Sequence, residues 1–150
     1  MYLTDLNSAG GIGANSTFVE IGPFRVLIDA GLHPKRLGQD ALPRFDRIRE
    51  TALDLIILTH CHLDRLGALP VVARQHPQAE IWMSRESSIL APRMMRNSVR
   101  VMSRQREEAN IPEYPLYTDA EIRALEQRFA NLPMERTNEL HLNGEVLGVE

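Results

Sequence analysis

Three side chains that can bind a metal ion stand at alternate positions in the stretch LTHCHLDRLGALP. They are His60, His62 and Asp64, and they follow directly after an apolar segment. Imidazole and carboxylate ligands together suit zinc, iron or manganese. Because alternate residues of an extended segment point the same way, we expect these three side chains to converge while Cys61 turns into the core. Two satisfied histidines and a helix-capping aspartate are the structural alternative, and the regular spacing favours the metal site.

A buried strand and a short helix must hold this stretch in place. Residues 53–59, LDLIILT, form a nearly continuous apolar run, which is typical of a strand covered on both faces. GALPVVARQHP then predicts a short helix, with Pro70 in the first turn, where the backbone amides have no intrahelical partner. Open α/β sheets bind ligands at the carboxyl ends of their strands, so the three candidate ligands lie where a site is expected.

The rest of the chain interleaves strands with helices. YLTDL and AEIWMS predict single strands, and STFVEIG with FRVLIDAG predicts a hairpin that leaves Asp29 just past its second strand. Residues 85–109 are expected to be mostly helical, with a fresh helix at Pro92. YTDAEIRALEQRFANLP predicts a further helix that starts with a capping box of Thr118 and Glu121, and LHLNGEVLGVE predicts a second hairpin. This alternation predicts an α/β layered fold.

Two other patterns have plainer interpretations. GGIG is followed by a predicted strand, whereas a dinucleotide-binding loop must lead into a helix, so a simple turn is expected there. His76 and His141 are interpreted as ordinary surface or edge residues.

Composition excludes several classes of protein. A chain of 150 residues with 43% hydrophobic content can bury the core of one domain. The single cysteine excludes an internal disulfide and a zinc site built from four cysteines. The chain has no signal-peptide pattern at residues 1–10 and no apolar run near the roughly 18 residues of a membrane helix. We therefore expect a cytoplasmic protein that does not contact membranes.

Charge is concentrated in one helical segment. Residues 85–106 contain six basic and one acidic side chains, although the whole chain carries a net charge of −3. Arg93, Arg96, Arg100 and Arg104 recur at helical spacing and should share one face. Such a face is usually only solvated, but it can also contact the phosphates of an RNA substrate.

Two motifs resemble those of a known superfamily. LTHCHLDRLGALP resembles the His-x-His-x-Asp-His signature of metallo-β-lactamase-fold hydrolases, and LIDAGLHP resembles their first motif, in which an Asp follows a strand. GLHP, DALP and HLDRLGALP together are most similar to the β-CASP group, which contains the mRNA 3′-end-processing endonuclease and ribonuclease J. The resemblance runs over all 150 residues.

This resemblance implies an αββα sandwich whose metal site hydrolyses RNA phosphodiester bonds. It implies that His60 and His62 ligate a first zinc ion, and that Asp64 ligates a second and orients or deprotonates the attacking water. Asp29 would hold a ligand histidine in its working tautomer. In the complete family site two metal ions activate the water and clamp the phosphate oxygens.

The sequence departs from the family pattern in two ways. Arg65 stands where the next ligand histidine is expected, and a guanidinium has no lone pair to offer, so we expect it to pair with Asp64 or Asp29. The third and fourth metal motifs and the β-CASP cap are absent. We therefore expect residues 1–150 to be the N-terminal portion of a metallo-β-lactamase-like domain, a mixed sheet with flanking helices, with an incomplete site and no catalysis of its own.

Three functions follow from these expectations, and an incomplete fold also implies a protein partner. The first function is that of a metal-dependent RNA phosphodiesterase. The alternatives are a catalytically degenerate module that binds RNA or protein, and a small-ester or thioester hydrolase of the same superfamily. An incomplete sandwich should leave the inner face of its first sheet apolar and exposed, so we expect pairing with a second copy or with the missing C-terminal half.

Overall fold

The computed structural model describes residues 1–7, 12–133 and 136–150. The GGIG turn lies partly outside these ranges. Within them the strands are β1 (Tyr2–Asp5), β2 (Thr17–Ile21), β3 (Phe24–Ile28), β4 (Leu55–Ile57), β5 (Glu80–Ser84), β6 (Phe129–Leu132), β7 (Asn138–Leu142) and β8 (Glu145–Val149). The helices are α1 (Leu63–Leu66), α2 (Leu69–Gln75), α3 (Arg85–Glu108) and α4 (Asp119–Glu126), with short 3₁₀ turns at Gly38–Ala41 and Phe45–Ile48.

Six of the strands form one mixed sheet, in the order β1-β2-β3-β4-β5-β6. The first three strands pair antiparallel, and β3 to β6 pair parallel. Carboxyl ends of parallel neighbours meet at one edge of a sheet. Asp29, which follows β3, and His60, which comes shortly after β4, are therefore brought to the same edge.

Both faces of this sheet are covered. One face, which includes Leu27, Ile56 and Ile81, packs into the main core with the helices. The other face packs against a two-stranded sheet formed by β7 and β8. This arrangement confirms the predicted α/β fold and the burial of the LDLIILT strand on both sides.

The expectation of an exposed apolar face on the first sheet is wrong for the strands at its centre. Val26, Leu55 and Trp82 on that face are all at least 95% buried. The side chains that cover this face come from the C-terminal hairpin: Leu140, Leu142, Leu147 and Val149. The sequence predicted this hairpin, but periodicity within a hairpin does not show which surface it will cover.

Helix α3 is continuous from Arg85 to Glu108, so the fresh helix predicted at Pro92 is wrong. The Ser84 hydroxyl accepts a hydrogen bond from the backbone N–H of Ser87 and caps its start. Burial of Ala91, Met95 and Met102 along one side holds the helix on the core across the proline. Every helix in the described part of the chain is too short or too polar to cross a bilayer.

Helix α4 begins as predicted and ends earlier than predicted. The Thr118 and Glu121 side chains form the expected capping box, with each bonding to the other residue's backbone N–H. The helix ends at Glu126, however, and the predicted helical residues 129–132 form strand β6 instead. This part of the prediction is wrong because β5 offers a free edge to which β6 pairs in parallel.

Candidate metal centre

The three candidate ligands converge at the edge of the sheet where β3 and β4 end. The ligand atoms of His60, His62 and Asp64 all lie within 4.8 Å of one another. The two imidazole rings meet edge to face, with centroids 4.8 Å apart. The predicted convergence is confirmed, but the segment is not extended throughout, because His62 is the residue just before helix α1 and Asp64 lies in the first turn of that helix.

The donor set fits one divalent ion. Zinc bonds to imidazole nitrogen and carboxylate oxygen are about 2.0–2.2 Å long, so two ligand atoms of one ion lie at most about 4.4 Å apart. Small side-chain rotations bring the observed atoms, at most 4.8 Å apart, within that limit. The mixture of two imidazoles and one carboxylate is a set that zinc, iron and manganese accept.

Asp29 reaches His60 through the hydroxyl of Thr59. The Thr59 Oγ1 donates to both oxygens of the Asp29 carboxylate, at 2.9 and 3.0 Å, and lies 3.2 Å from His60 Nδ1. All these contacts can form together when His60 Nδ1 carries the imidazole proton and donates a hydrogen bond to Thr59 Oγ1. The Nε2 atom of His60 then keeps its lone pair, which is the form that a metal ligand needs.

Arg65 is paired with Asp29, as the sequence led us to expect. Its Nη1 lies 2.9 Å from Asp29 Oδ2. The Asp29 side chain is 1% exposed, whereas that of Arg65 is 37% exposed. The Arg65 Nε lies 3.8 Å from Asp64 Oδ2, a distance too long for a hydrogen bond. A fixed positive charge thus stands beside the ligands, where it opposes the binding of a second cation.

Asn15 holds Asp64, and sequence analysis missed it. Its Nδ2 donates to Asp64 Oδ2 and to the Asp64 backbone oxygen, both at 3.1 Å. Among the described residues, Asp64 Oδ1 has no hydrogen-bond partner and is left for a metal ion or a water. The sequence signal was weak, because Asn15 lies 49 residues from Asp64 in a segment that seemed to be only a turn.

The two motif segments are joined by backbone hydrogen bonds. The N–H of Ala30 donates to Arg65 O at 2.6 Å, and that of Leu32 donates to Leu63 O at 2.8 Å. Gly31 between them leaves no room for a side chain, because a Cβ there would lie 1.8 Å from the Asp64 backbone oxygen. This close approach fixes the position of Asp64 relative to Asp29.

The arginines of α3 do not form one free stripe. Arg93, Arg100 and Arg104 are exposed and have no ion pair within the described residues. Arg96 bridges α3 to α4, with Nε 2.8 Å from Asp119 Oδ1 and Nη2 2.8 Å from Glu126 Oε1. The hydrogen bond that Arg96 donates to Asp119 is the main cause of the raised pKa of Arg96. Arg96 therefore has a structural partner that the other three arginines lack.

The remaining candidate side chains have separate surroundings. Cys61 is partly buried against the main core, as predicted. His141 is exposed beside Glu139, also as predicted. The prediction for His76 is wrong, because this side chain is 5% exposed and burial lowers its pKa. The turn that contains His76 is held by Arg128, whose guanidinium donates to the carbonyls of Ala73, His76 and Ala79.

Comparison with known families agrees with this geometry. The model of the metallo-β-lactamase superfamily matches residues 9–143, which is most of the chain. The chain belongs to the metallo-β-lactamase superfamily. The solved structure of an archaeal metallo-β-lactamase superfamily protein from Sulfolobus tokodaii covers 96% of the chain with a TM-score of 0.50 at 17% identity, and the chain covers 52% of it. That likeness shows the same metallo-β-lactamase fold.

Relatives within the superfamily have names from RNA processing. The chain is 25% identical to the cleavage and polyadenylation specificity factor 73 of Drosophila melanogaster over 150 residues, which is 99% of this chain and 20% of that protein. It is 28% identical to the endoribonuclease YSH1 of Saccharomyces cerevisiae over 99 residues, which is 65% of this chain and 13% of that protein. These relatives match the group indicated by the sequence resemblance, and the chain spans a fifth or less of their length.

Proposed function

We propose that this chain is the N-terminal portion of a metallo-β-lactamase-like domain that hydrolyses RNA phosphodiester bonds with a bound zinc ion. One observation carries the proposal. His60, His62 and Asp64 converge within 4.8 Å at the end of a buried strand, and each of two further residues, Thr59 and Asn15, holds one of them in place. The endoribonuclease names of the relatives support RNA as the substrate class.

The side chains of the site have separate roles in this proposal. His60 and His62 would hold a zinc ion through their ring nitrogens, and Asp29 positions His60 through the Thr59 hydroxyl. Zinc bound there would supply Lewis-acid polarisation of a phosphoryl oxygen and would lower the pKa of a water molecule. Asp64, whose Oδ2 is held by Asn15, would complete the ligand set with Oδ1, and the same carboxylate would orient the attacking water and accept its proton. Arg65 adds a positive charge beside the phosphate.

A basic surface on α3 extends this site toward a polyanion. Arg93, Arg100 and Arg104 are exposed and carry three positive charges along one side of the helix. Contacts from such side chains to phosphates add affinity that falls as salt concentration rises. Arg96 was predicted with them and remains a weaker candidate, because Asp119 and Glu126 already bind its guanidinium.

A second candidate function is supported by Arg65. The guanidinium cannot ligate a metal ion, and its ion pair with Asp29 occupies the place of a ligand histidine. A site altered in this way also suits a protein that binds RNA, or assembles with another protein, without cleaving RNA. A cytoplasmic location stays a prediction. Pairing with a second copy or with a C-terminal half also stays a prediction, and sedimentation of the chain tests whether it pairs with itself.

An RNA cleavage assay distinguishes the two functions. The protein made from the complete reading frame that contains these residues is incubated with single-stranded RNA, and its zinc content is measured by mass spectrometry. We expect cleavage that a chelator abolishes, with zinc and cleavage both lost in His60→Ala and His62→Ala. His141→Ala is the matched control, because His141 is exposed and does not belong to the group formed by His60, His62 and Asp64.

Each outcome has a definite meaning. Cleavage that survives His60→Ala and His62→Ala contradicts the proposed catalytic site. RNA binding with no zinc and no cleavage supports the binding module. Cleavage of an ester or thioester in place of RNA favours the remaining alternative from the sequence.

A further inference from the structure

A cavity of about 250 Å³ opens beside Asp64. Its walls are largely apolar and include Leu32, Leu63, Met102 and Tyr114. At its rim Leu37 and Val101 remain 46% and 42% exposed, although both are large aliphatic side chains. The metal-centre carboxylate thus lies at the border of an apolar recess whose mouth is not covered in this structure.

One face of α3 contributes polar groups to this recess. Asn97, Val101 and Gln105 line it, and their spacing of four residues places them one above another along the helix. Neither the Asn97 nor the Gln105 side-chain amide has a hydrogen-bond partner among the described residues. Each amide can donate two hydrogen bonds and can also accept. This face therefore presents the apolar side chain of Val101 between two groups that can both donate and accept.

Positive charge borders the same recess. Arg36 lines it directly. Arg100 and Arg104 are exposed on α3, each one residue before a lining residue, and have no ion pair within the described part of the chain. By helical spacing Arg100 and Arg104 lie on the side of α3 next to Asn97, so their positive charges flank the helix face that lines the recess.

We propose that this cavity receives one nucleobase of an RNA strand whose phosphate lies at the metal centre. A base is flat and apolar on its faces, and it carries donors and acceptors at its edge. Apolar walls with free amides suit these two surfaces, and the arginines outside suit the neighbouring phosphates. The inference rests on the proposed RNA function and adds to it a site that recognises a base next to the phosphate.

Two oligomers that differ only in the presence of bases test this inference. Binding of the 150-residue chain to a short single-stranded RNA is measured by fluorescence anisotropy. It is compared with binding to an oligomer of equal length that keeps the ribose-phosphate backbone and lacks the bases. We expect RNA to bind about tenfold more tightly than the abasic oligomer, since contacts to a base contribute affinity that the backbone cannot.

Three variants locate the effect. Val101→Trp fills the cavity, and we expect it to lower RNA affinity to the abasic level without changing abasic binding. Asn97→Ala combined with Gln105→Ala removes the polar groups and should reduce RNA affinity alone by severalfold. Val146→Trp is the matched control, because Val146 is also an exposed valine, 51% accessible, on the outer side of the β7–β8 hairpin. It should change neither affinity.

The outcomes test the base site separately from the proposed RNA function. Equal affinity for RNA and the abasic oligomer overturns the base site and leaves the RNA function standing. An unchanged RNA affinity in Val101→Trp also overturns the base site. If neither oligomer binds, the proposed contact with RNA fails, and the base site fails with it.

Discussion

The guanidinium of Arg65 lies 2.9 Å from the carboxylate of Asp29, and this ion pair joins the two sequence motifs that form the candidate metal centre. Asp29 has a positive φ of 62° at the end of β3, and its backbone N–H bonds to Ile57 O of the neighbouring strand. Its carboxylate also accepts from the backbone N–H and the hydroxyl of Thr59. A buried carboxylate thus binds Arg65 directly and positions the candidate ligand His60 through Thr59.

Removing the Arg65 charge should destabilise the fold. In Arg65→Ala the buried Asp29 carboxylate loses its only charged partner among the described residues, and we expect the free energy of unfolding to fall by about 2 kcal/mol. Arg123→Ala is the control, because the ion pair of Arg123 with Asp119 is exposed and should contribute less than about 1 kcal/mol. Urea unfolding measures both changes, and equal losses would contradict a special role for the Arg65–Asp29 pair.

A single methyl group at Gly31 should displace the candidate ligand Asp64. The Cβ of Gly31→Ala would lie 1.8 Å from the Asp64 backbone oxygen, so the two motif segments must separate. We expect a loss of about 3 kcal/mol or more, together with weaker zinc binding. Gly22→Ala tests the alternative of backbone strain alone, because no atom lies within 4 Å of a Cβ there although φ is +55°. If both variants lose the same stability, the close approach is not the cause.

The Thr59 hydroxyl should control zinc affinity. Thr59→Val removes the group that links Asp29 to His60 while keeping a similar shape, and we expect zinc affinity to fall by about 10-fold to 100-fold. Thr59→Ser keeps the hydroxyl and should bind zinc as the parent chain does. Calorimetric zinc titration compares the three proteins. A Thr59→Val chain that binds zinc normally would show that Asp29 does not act through Thr59.

Buried His76 should reduce stability in mild acid. Burial lowers its pKa below the usual 6.5, so the unfolded chain takes up a proton at a pH where the folded chain does not. The stabilisation is fully present above pH 6.5 and is lost as pH falls through 6.5 toward the folded-state pKa. The free energy of unfolding, measured across this pH range, should depend less steeply on pH in His76→Phe than in the parent chain. His141→Phe, at an exposed site, should keep the parent slope.

Local sequence patterns were sufficient to predict most of the elements. Phe24, Val26 and Ile28 alternate in the sequence, which is typical of a strand with one buried face, and all three belong to the cluster beneath the β7–β8 hairpin. The capping box of Thr118 and Glu121 marked the start of α4 correctly. Such signals depend on neighbours within a few residues, and those neighbours are visible in the sequence. The end of α4 was misplaced because pairing of β6 with β5 is a contact between distant segments.

The sequence by itself showed which side chains could ligate a metal ion, because His60, His62 and Asp64 stand at alternate positions of one short segment. It also determined that Arg65 cannot ligate. Only the tertiary structure decided which groups hold these side chains. Asn15, just before β2, and Asp29, just after β3, reach the site from 49 and 36 residues away along the chain from Asp64 and Arg65. Contacts over such separations follow from strand order and packing, which no local pattern specifies.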